Sequence, residues 1–486
     1  MYPQIATQLQ TAILDGRLRA GTRLPSTRQL SESLGVSRNV ILLAYDDLRS
    51  QGYLSGKGGS GTFVSAVLPE ELLRVAPKTG RKSRRAIKPA PKTRAVDPRL
   101  PRLAKYAKRL PKHPLPGSRR GLRYDFRYGV VWQDDATHKH YRRLIGRHAQ
   151  TAQPTYSHAA GLPRLRSAIA EHLRKSRGLH CTAEQIVVVS GSSQAIDILG
   201  RIFCDEGTPV IIEEPGYRGA SWALEAIGAK MIRIPVDSDG IVVSKIPREG
   251  TAAPLLYVTP SHQFPTGVTL SLSRRAELLR WAVRHDCYII EDDYDGDYRY
   301  EGRPLEALHA LDNHARTIYL GTFSKVLSPA LRIGYLVLPA ELVEPVTRAK
   351  YFTDRHNPVL EQAAMCDFLV EGHFDRHVRR MRAHNSGRRR SLVKAIAKHF
   401  GDSVTMSGVE TGEHVLVWFP ELPADSFSDI AARAATVGVG VYSVNDCFFA
   451  EPPTQLGLLL GYGTLSERQI SRGIERLAGA IADAQS

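Results

Sequence analysis

An amine, a carboxylate, a phenol and a guanidinium fall at the ends of short apolar runs in this chain. Thr317-Ile-Tyr-Leu reads as a buried strand, followed by Gly321-Thr-Phe-Ser-Lys325 and then by Arg332-Ile-Gly-Tyr, which opens a second strand. Thirty-three residues before the lysine, Ile289-Ile-Glu-Asp292-Asp-Tyr294 reads as another buried strand ending in acids. A lysine amine can condense with an aldehyde, a buried carboxylate can keep a pyridine nitrogen protonated, and an arginine pairs with phosphate. Those are the groups that hold pyridoxal 5′-phosphate.

A second run supports that chemistry. Val187-Val-Val-Ser190-Gly-Ser192-Ser193-Gln194 is a strand, a Gly/Ser turn and a helix start, which places free backbone N–H groups and hydroxyls around an anion. A plain helix cap is the alternative for such a turn taken alone. Tyr217, after Glu213-Glu-Pro-Gly, is placed to lie flat on an aromatic ring, or is an ordinary loop tyrosine. Asp293, Asp295 and Asp297 read as solvated loop acids rather than a metal site.

These groups need a scaffold. From Tyr124 onward, strand candidates at Ile186–Val189, Pro209–Ile212, Met231–Ile234, Leu255–Val258, Tyr288–Ile290 and Thr317–Leu320 alternate with helical stretches such as Gln194–Cys204 and Arg274–His285. Such alternation predicts a largely parallel sheet covered by helices. From about Glu371, a long basic helix, strands at Glu413–Phe419, Gly438–Val444 and Gly457–Gly461, and a final helix predict an α+β part.

The first 65 residues predict a different unit. Ile5–Leu14 is amphipathic, Ser26-Thr-Arg-Gln29 opens a second helix with a capping-box pattern, and Ser37 is placed to cap a third, Arg38–Gln51. Tyr53-Leu-Ser, a glycine-rich tip and Thr62-Phe-Val form a β-hairpin wing. Two helices joined by a tight turn and followed by a wing make a winged helix-turn-helix. It would set Ser37, Arg38 and Asn39 near base edges, Arg28 on the phosphates of double-stranded DNA, and Lys57 with the wing glycines against its backbone or minor groove. A protein-docking module is the competing reading of a three-helix unit.

The net charge of +17 is unevenly placed: residues 1–65 carry +3, 66–120 carry +14, and 121–486 balance to zero. Residues 66–120 also hold nine prolines, so they read as a basic linker that either merely tethers or touches DNA. At 486 residues the chain predicts two or three domains, with boundaries at 1–65, 66–120 and 121–486. No apolar run approaches membrane-spanning length and no export signal is evident. Five scattered cysteines read as free thiols of a reducing cytoplasm, with no metal role.

Arg23-Leu-Pro-Ser-Thr-Arg-Gln-Leu-Ser-Glu-Ser-Leu-Gly-Val-Ser-Arg-Asn-Val, with Ala44-Tyr, Leu48 and Gly61-Thr-Phe-Val, closely resembles the GntR-type winged-helix regulators. Tyr156 with Gly161, Ser190-Gly-Ser-Ser, Glu214-Pro-Gly-Tyr217, Pro260-Ser-His-Gln-Phe-Pro-Thr-Gly267, Glu291-Asp-Asp-Tyr294 and Gly321-Thr-Phe-Ser-Lys325 with Arg332 resemble fold-type I aminotransferases. Joined, the chain resembles the MocR subgroup of bacterial transcription regulators. The resemblance implies an N-terminal winged helix-turn-helix, an α/β fold-type I aminotransferase-like domain that binds pyridoxal phosphate, and a C-terminal α+β part. It makes Lys325 the Schiff-base lysine and the catalytic residue, sets Asp292 at the ring nitrogen and Tyr294 at the 3′-oxygen, and places Ser192, Ser193, Thr322, Ser324 and Arg332 around the phosphate. It also implies a head-to-tail homodimer, with Tyr156 reaching in from the second subunit.

Two departures separate the chain from working aminotransferases. Phe264 stands where they carry an asparagine, leaving His262 or Gln263 to compensate, and Gln455–Tyr462 offers leucines where they carry an arginine for the substrate's α-carboxylate. Positions aligned with the arginines of GABA-responsive relatives read Gly219 and Asp446, with Arg218 one residue away. Losing a bidentate clamp removes much of what orients an amino acid. The expectation is therefore a regulator whose large domain senses pyridoxal phosphate or a small amine or amino acid that reacts with it, and so alters operator binding. A working aminotransferase with a DNA-binding appendage is the rival.

Overall fold

The computed structural model describes residues 2–57, 61–68, 103–111, 122–132, 134–150, 155–247, 252–298 and 306–485. The chain divides into two compact units, Met1–Arg99 and Leu100–Ser486.

In the first unit, helices Tyr2–Leu14, Thr27–Leu34 and Arg38–Ser50 precede an antiparallel hairpin of β1 (Leu54–Lys57) and β2 (Gly61–Val64), with Leu54 opposite Val64. Ser26 makes the expected capping box: its side chain accepts from the Gln29 amide, and the Gln29 side chain accepts from the Ser26 amide. Gly35 then ends that helix in a left-handed conformation. Ser37 occupies the capping position of the third helix with extended backbone, but its side chain makes no capping hydrogen bond, unlike the expectation. Ile41, Ala44, Tyr45 and Leu48 face inward at helical spacing and pack on Leu24, Tyr53, Leu54 and Val64.

The second unit is built on an eight-stranded sheet. Its strands are β4 (Ile186–Val189), β5 (Pro209–Glu214), β6 (Lys230–Asp237), β7 (Gly240–Ile241), β8 (Leu255–Val258), β9 (Tyr288–Asp293), β10 (Thr317–Thr322) and β11 (Gly334–Val337); β3 (Tyr124–Asp125) lies outside it. The order is β4-β11-β10-β9-β8-β5-β6-β7, with β11 and β7 antiparallel to their neighbours and the other pairings parallel. Every residue of β4, β8 and β11 is buried. Helices cover both faces, so these strands read as continuous apolar runs rather than alternating ones.

Helix His373–Phe400 leads into β12 (Thr405–Ser407), β13 (His414–Pro423), β14 (Val439–Gly440), β15 (Tyr442–Ser443) and β16 (Gln455–Gly461), closed by helix Glu467–Gln485. The sheet order is β12-β13-β16-β15. The single strand expected over Gly438–Val444 is broken, because β14 pairs with β3 while β15 turns to β16. Most of the linker lies outside the described residues. Its helix Lys105–Arg109 does not stand alone: Lys105 Nζ reaches Glu206 at 3.0 Å, Arg109 pairs with the same carboxylate, and Arg201 lies over the Tyr106 ring.

Candidate functional site

The carboxyl ends of parallel strands converge on one edge of the sheet, where backbone ends and helix starts leave polar groups free. A cavity of about 300 Å³ opens there. Asp292 is near the end of β9 and Tyr294 follows that strand; Thr322 ends β10, with Ser324 and Lys325 in the succeeding turn. Arg332, in a left-handed conformation at φ 49°, leads into β11. Ser192 and Ser193 open helix Ser192–Phe203 after β4, and Tyr217 sits between β5 and helix Arg218–Ile227. All nine line the same cavity. Tyr156 does not: it is 73% exposed, with the Arg355 guanidinium 4.5 Å from its ring centroid.

Asp292 is 4% exposed and accepts a 2.7 Å hydrogen bond from the Tyr257 hydroxyl on Oδ2, while its Oδ1 is buried without a partner. Burial pushes its carboxyl up to about 7. The Ser324 hydroxyl is likewise buried without a partner. Lys325 Nζ donates to the Gly129 carbonyl at 3.4 Å; Gly129 takes a φ of 71°, which favours glycine, and a Cβ there would lie 2.8 Å from that nitrogen and push the amine aside. An orphaned acceptor, an orphaned hydroxyl, a helix start and an amine lining one cavity fit a phosphorylated pyridine aldehyde.

Of the three acids expected to be solvated, Asp293, the last residue of β9, and Asp295 are buried, while Asp297 is half-buried. Asp293 is buried, ion-paired to Arg177 Nε at 2.8 Å and hydrogen-bonded by the Tyr319 hydroxyl. Asp295 is buried 2.6 Å from His262 Nδ1, an atom that also lies 2.9 Å from the Tyr294 hydroxyl. Low-dielectric surroundings demand partners for such acids, and the fold supplies them. Phe264 lines the cavity. Gln263 does not replace the missing asparagine: its amide is taken up by Pro215, Phe264 and Thr266. His262 reaches the Tyr294 hydroxyl through its Nδ1. Gly412 packs on its ring so closely that a Cβ there would lie 2.1 Å from His262 Cε1.

Residues 133–435 match the family described as aminotransferase class I and II, and residues 1–64 match the bacterial regulatory proteins of the gntR family. The probable rhizopine catabolism regulatory protein MocR of Rhizobium meliloti is 37% identical over 100% of this chain and 94% of its own. The chain belongs to the MocR-type transcriptional regulators. The pyridoxine biosynthesis transcriptional regulator PdxR of Corynebacterium glutamicum is 30% identical, covering 99% of this chain and 95% of its own. Among solved structures, the α-aminoadipate aminotransferase LysN of Thermus thermophilus, complexed with N-(5′-phosphopyridoxyl)-L-leucine, superposes with a TM-score of 0.71. It is 27% identical over 79% of this chain and 98% of its own.

In this regulator the clamp for a substrate carboxylate is missing from the described cavity wall, where Lys325 and Arg332 are the cationic side chains. Arg218 does not substitute. It lies 3.5 Å from Asp446 and over the rings of Trp222 and Phe449, outside the cavity lining. The leucines of β16 are core, buried at both faces. Residues the sequence did not single out also line the site: Tyr128, Tyr257, Thr259, Glu413 and His414. Only the position of Tyr257 within the apolar run of β8 hinted at it.

On the DNA-binding unit, Ser37, Arg38 and Asn39 are exposed together at the start of the third helix. Arg38 Nε donates to Thr27 Oγ1, and Arg28 pairs with Glu32 on the surface at 3.0 Å. Lys57 ends β1; its side chain lies outside the described residues. All five cysteines are free, and among the described residues no helix is long and apolar enough to cross a membrane.

Burial gives the cofactor-free regulator a pH dependence. Glu213, Glu291 and Asp292 are pushed up to about 7 and Glu413 to about 8, each foremost by burial. Folded, these groups hold protons that the unfolded chain releases near its ordinary 3.8 or 4.5. Their contribution is therefore fully present at acid pH and is lost as pH rises through about 7 to 8. The melting temperature of the cofactor-free protein is expected to fall between about pH 5 and 8, with Glu413→Gln flattening part of the slope.

Proposed function

We propose that the large unit of this regulator holds pyridoxal phosphate and reads it, or a small amine or amino acid that reacts with it, to change how the N-terminal unit binds operator DNA. The observation that carries this reading is the joint placement of Lys325 Nζ and the unpartnered Asp292 Oδ1 on one cavity wall, in a chain that opens with a gntR-family unit.

In this reading Lys325 anchors the cofactor's aldehyde carbon, and Asp292 holds a proton at its ring nitrogen. Ser192, Ser193, Thr322, Ser324 and Arg332 surround its phosphate. Tyr294 meets the 3′-oxygen with His262 fixing the phenol, and Tyr217 covers the ring. The bound cofactor supplies an electrophilic carbon and an electron-withdrawing ring. The exposure of Tyr156 supports a head-to-tail homodimer in which that phenol enters the second subunit's cavity. The similarity to MocR, a probable regulator of rhizopine catabolism, and to PdxR, a regulator of pyridoxine biosynthesis, supports a sensor of an amine or of the vitamin itself. The absent carboxylate clamp weighs against turnover of amino acids as its purpose.

Ser37, Arg38 and Asn39 then face base edges while Arg28 and Lys57 meet phosphates. The test is an anisotropy titration of duplex from the chain's own upstream region, with and without pyridoxal phosphate, across a salt series. We expect a steep salt dependence and a cofactor-dependent change in affinity or footprint. Unchanged affinity and footprint would remove the sensing claim, and conversion of amino acids at ordinary enzymatic rates would favour an enzyme.

A further inference from the structure

One acid in the cavity wall is not used by the reading above. Glu413 sits immediately before β13, is 5% exposed, and lines the same cavity as Lys325. Its Oε1 is buried with no hydrogen-bond partner among the described residues. The other two acids of that wall have tasks. Asp295 is joined to His262, and Asp292 accepts from Tyr257 with one oxygen and offers the other to a ring nitrogen. A buried carboxyl left without a partner is costly, so a site that keeps one is built for a ligand that completes it.

We propose that Glu413 selects the effector, which is an amine carrying a second hydrogen-bond donor, a hydroxyl or an ammonium, in place of an amino acid's carboxylate. This inference rests on the cofactor-bound sensor reading. The charges that reach Glu413 are Lys325, Asp295 and Arg388, and Arg388 is turned to the Gly463 carbonyl. At neutral pH Glu413 carries a proton unless a partner draws it off; a ligand ammonium does so and gains a charge-assisted bond, and a ligand hydroxyl donates to the oxygen that has no partner. A ligand carboxylate cannot leave Glu413 charged without meeting like charge, and Arg218, held by Asp446 outside the cavity lining, offers it no clamp. His414, the neighbouring residue, donates nothing to replace a clamp: its Nε2 faces the Pro265 carbonyl at 3.1 Å.

The experiment titrates full-length, cofactor-loaded protein by calorimetry with four amines of one chain length: 4-aminobutanol, 1,4-diaminobutane, butylamine and 4-aminobutyrate. In the unmodified protein the first two are expected to bind about ten- to hundredfold tighter than butylamine, with 4-aminobutyrate weakest. Glu413→Leu erases that advantage. Glu413→Gln, nearly isosteric, keeps it for the hydroxyl, loses it for the ammonium, and relaxes the bias against 4-aminobutyrate; this split decides the matter should the leucine variant fail to fold. Equal or tighter binding of 4-aminobutyrate, four amines binding alike or not at all, or an order that survives loss of the carboxylate overturns the proposal. The visible cofactor band of each preparation is read first. A protein that never holds the cofactor refutes the underlying reading, whereas a normal band without discrimination refutes the role of Glu413 alone.

Discussion

Lys325→Ala yields a protein that emerges colourless from desalting after exposure to pyridoxal phosphate, while the unmodified chain stays yellow. Lys325 is the primary amine of the described cavity wall, and among the described residues its Nζ has no ion-pair partner that would compete for it; the Gly129 carbonyl is its neighbour. The contacts proposed for the phosphate remain in the variant, so residual reversible binding is expected. Affinity should fall by about a hundredfold, equivalent to about 2.8 kcal/mol. Because the gntR-family unit is compact on its own, duplex binding without cofactor should be unchanged and only the response to cofactor lost. Equilibrium dialysis and the visible spectrum read the first effect, and anisotropy reads the second. An alanine variant as yellow as its parent would remove the anchor assigned to Lys325.

Asp292→Asn weakens cofactor binding by about 1.5–3 kcal/mol, the scale of a lost hydrogen bond to a charged group. Asparagine fits the space and still accepts from the Tyr257 hydroxyl, but it cannot balance a protonated ring nitrogen. The native carboxyl already sits near about 7 through burial, so a cationic partner draws it into the charged form at neutral pH. The variant therefore loses affinity without losing the anchor. At saturating cofactor it stays yellow and still changes its DNA affinity, which separates it from the alanine variant. Unaltered affinity would place the ring nitrogen elsewhere.

Lys325 and Asp292 were legible because each sits at the end of an apolar run, and strand ends of a parallel sheet meet at one edge. The Ser-Gly-Ser-Ser turn and the Ser26 capping box were legible for a similar reason: both are local. What escaped was set by distance in sequence. Asp293 read as solvated because its partner Arg177 lies 116 residues away, and the pairing of Asp295 with His262 spans 33. Glu413 is an unremarkable acid before a strand until the C-terminal part folds onto the sheet edge and carries it into the cavity. The break between β14 and β15 was invisible as well, since two different sheets claim one apolar stretch.

The close packing of Gly412 on His262 couples two regions that composition alone would treat as separate. With hydrogen rather than methyl between backbone and imidazole, there is no padding to absorb a turn of that ring. The Tyr294 hydroxyl lies 2.9 Å from Nδ1 of that ring, and Gly412 and His414, which flank Glu413, pack on the same ring. The phenol at the sheet edge and the loop that opens the C-terminal strands are therefore joined through one ring with little free space around it.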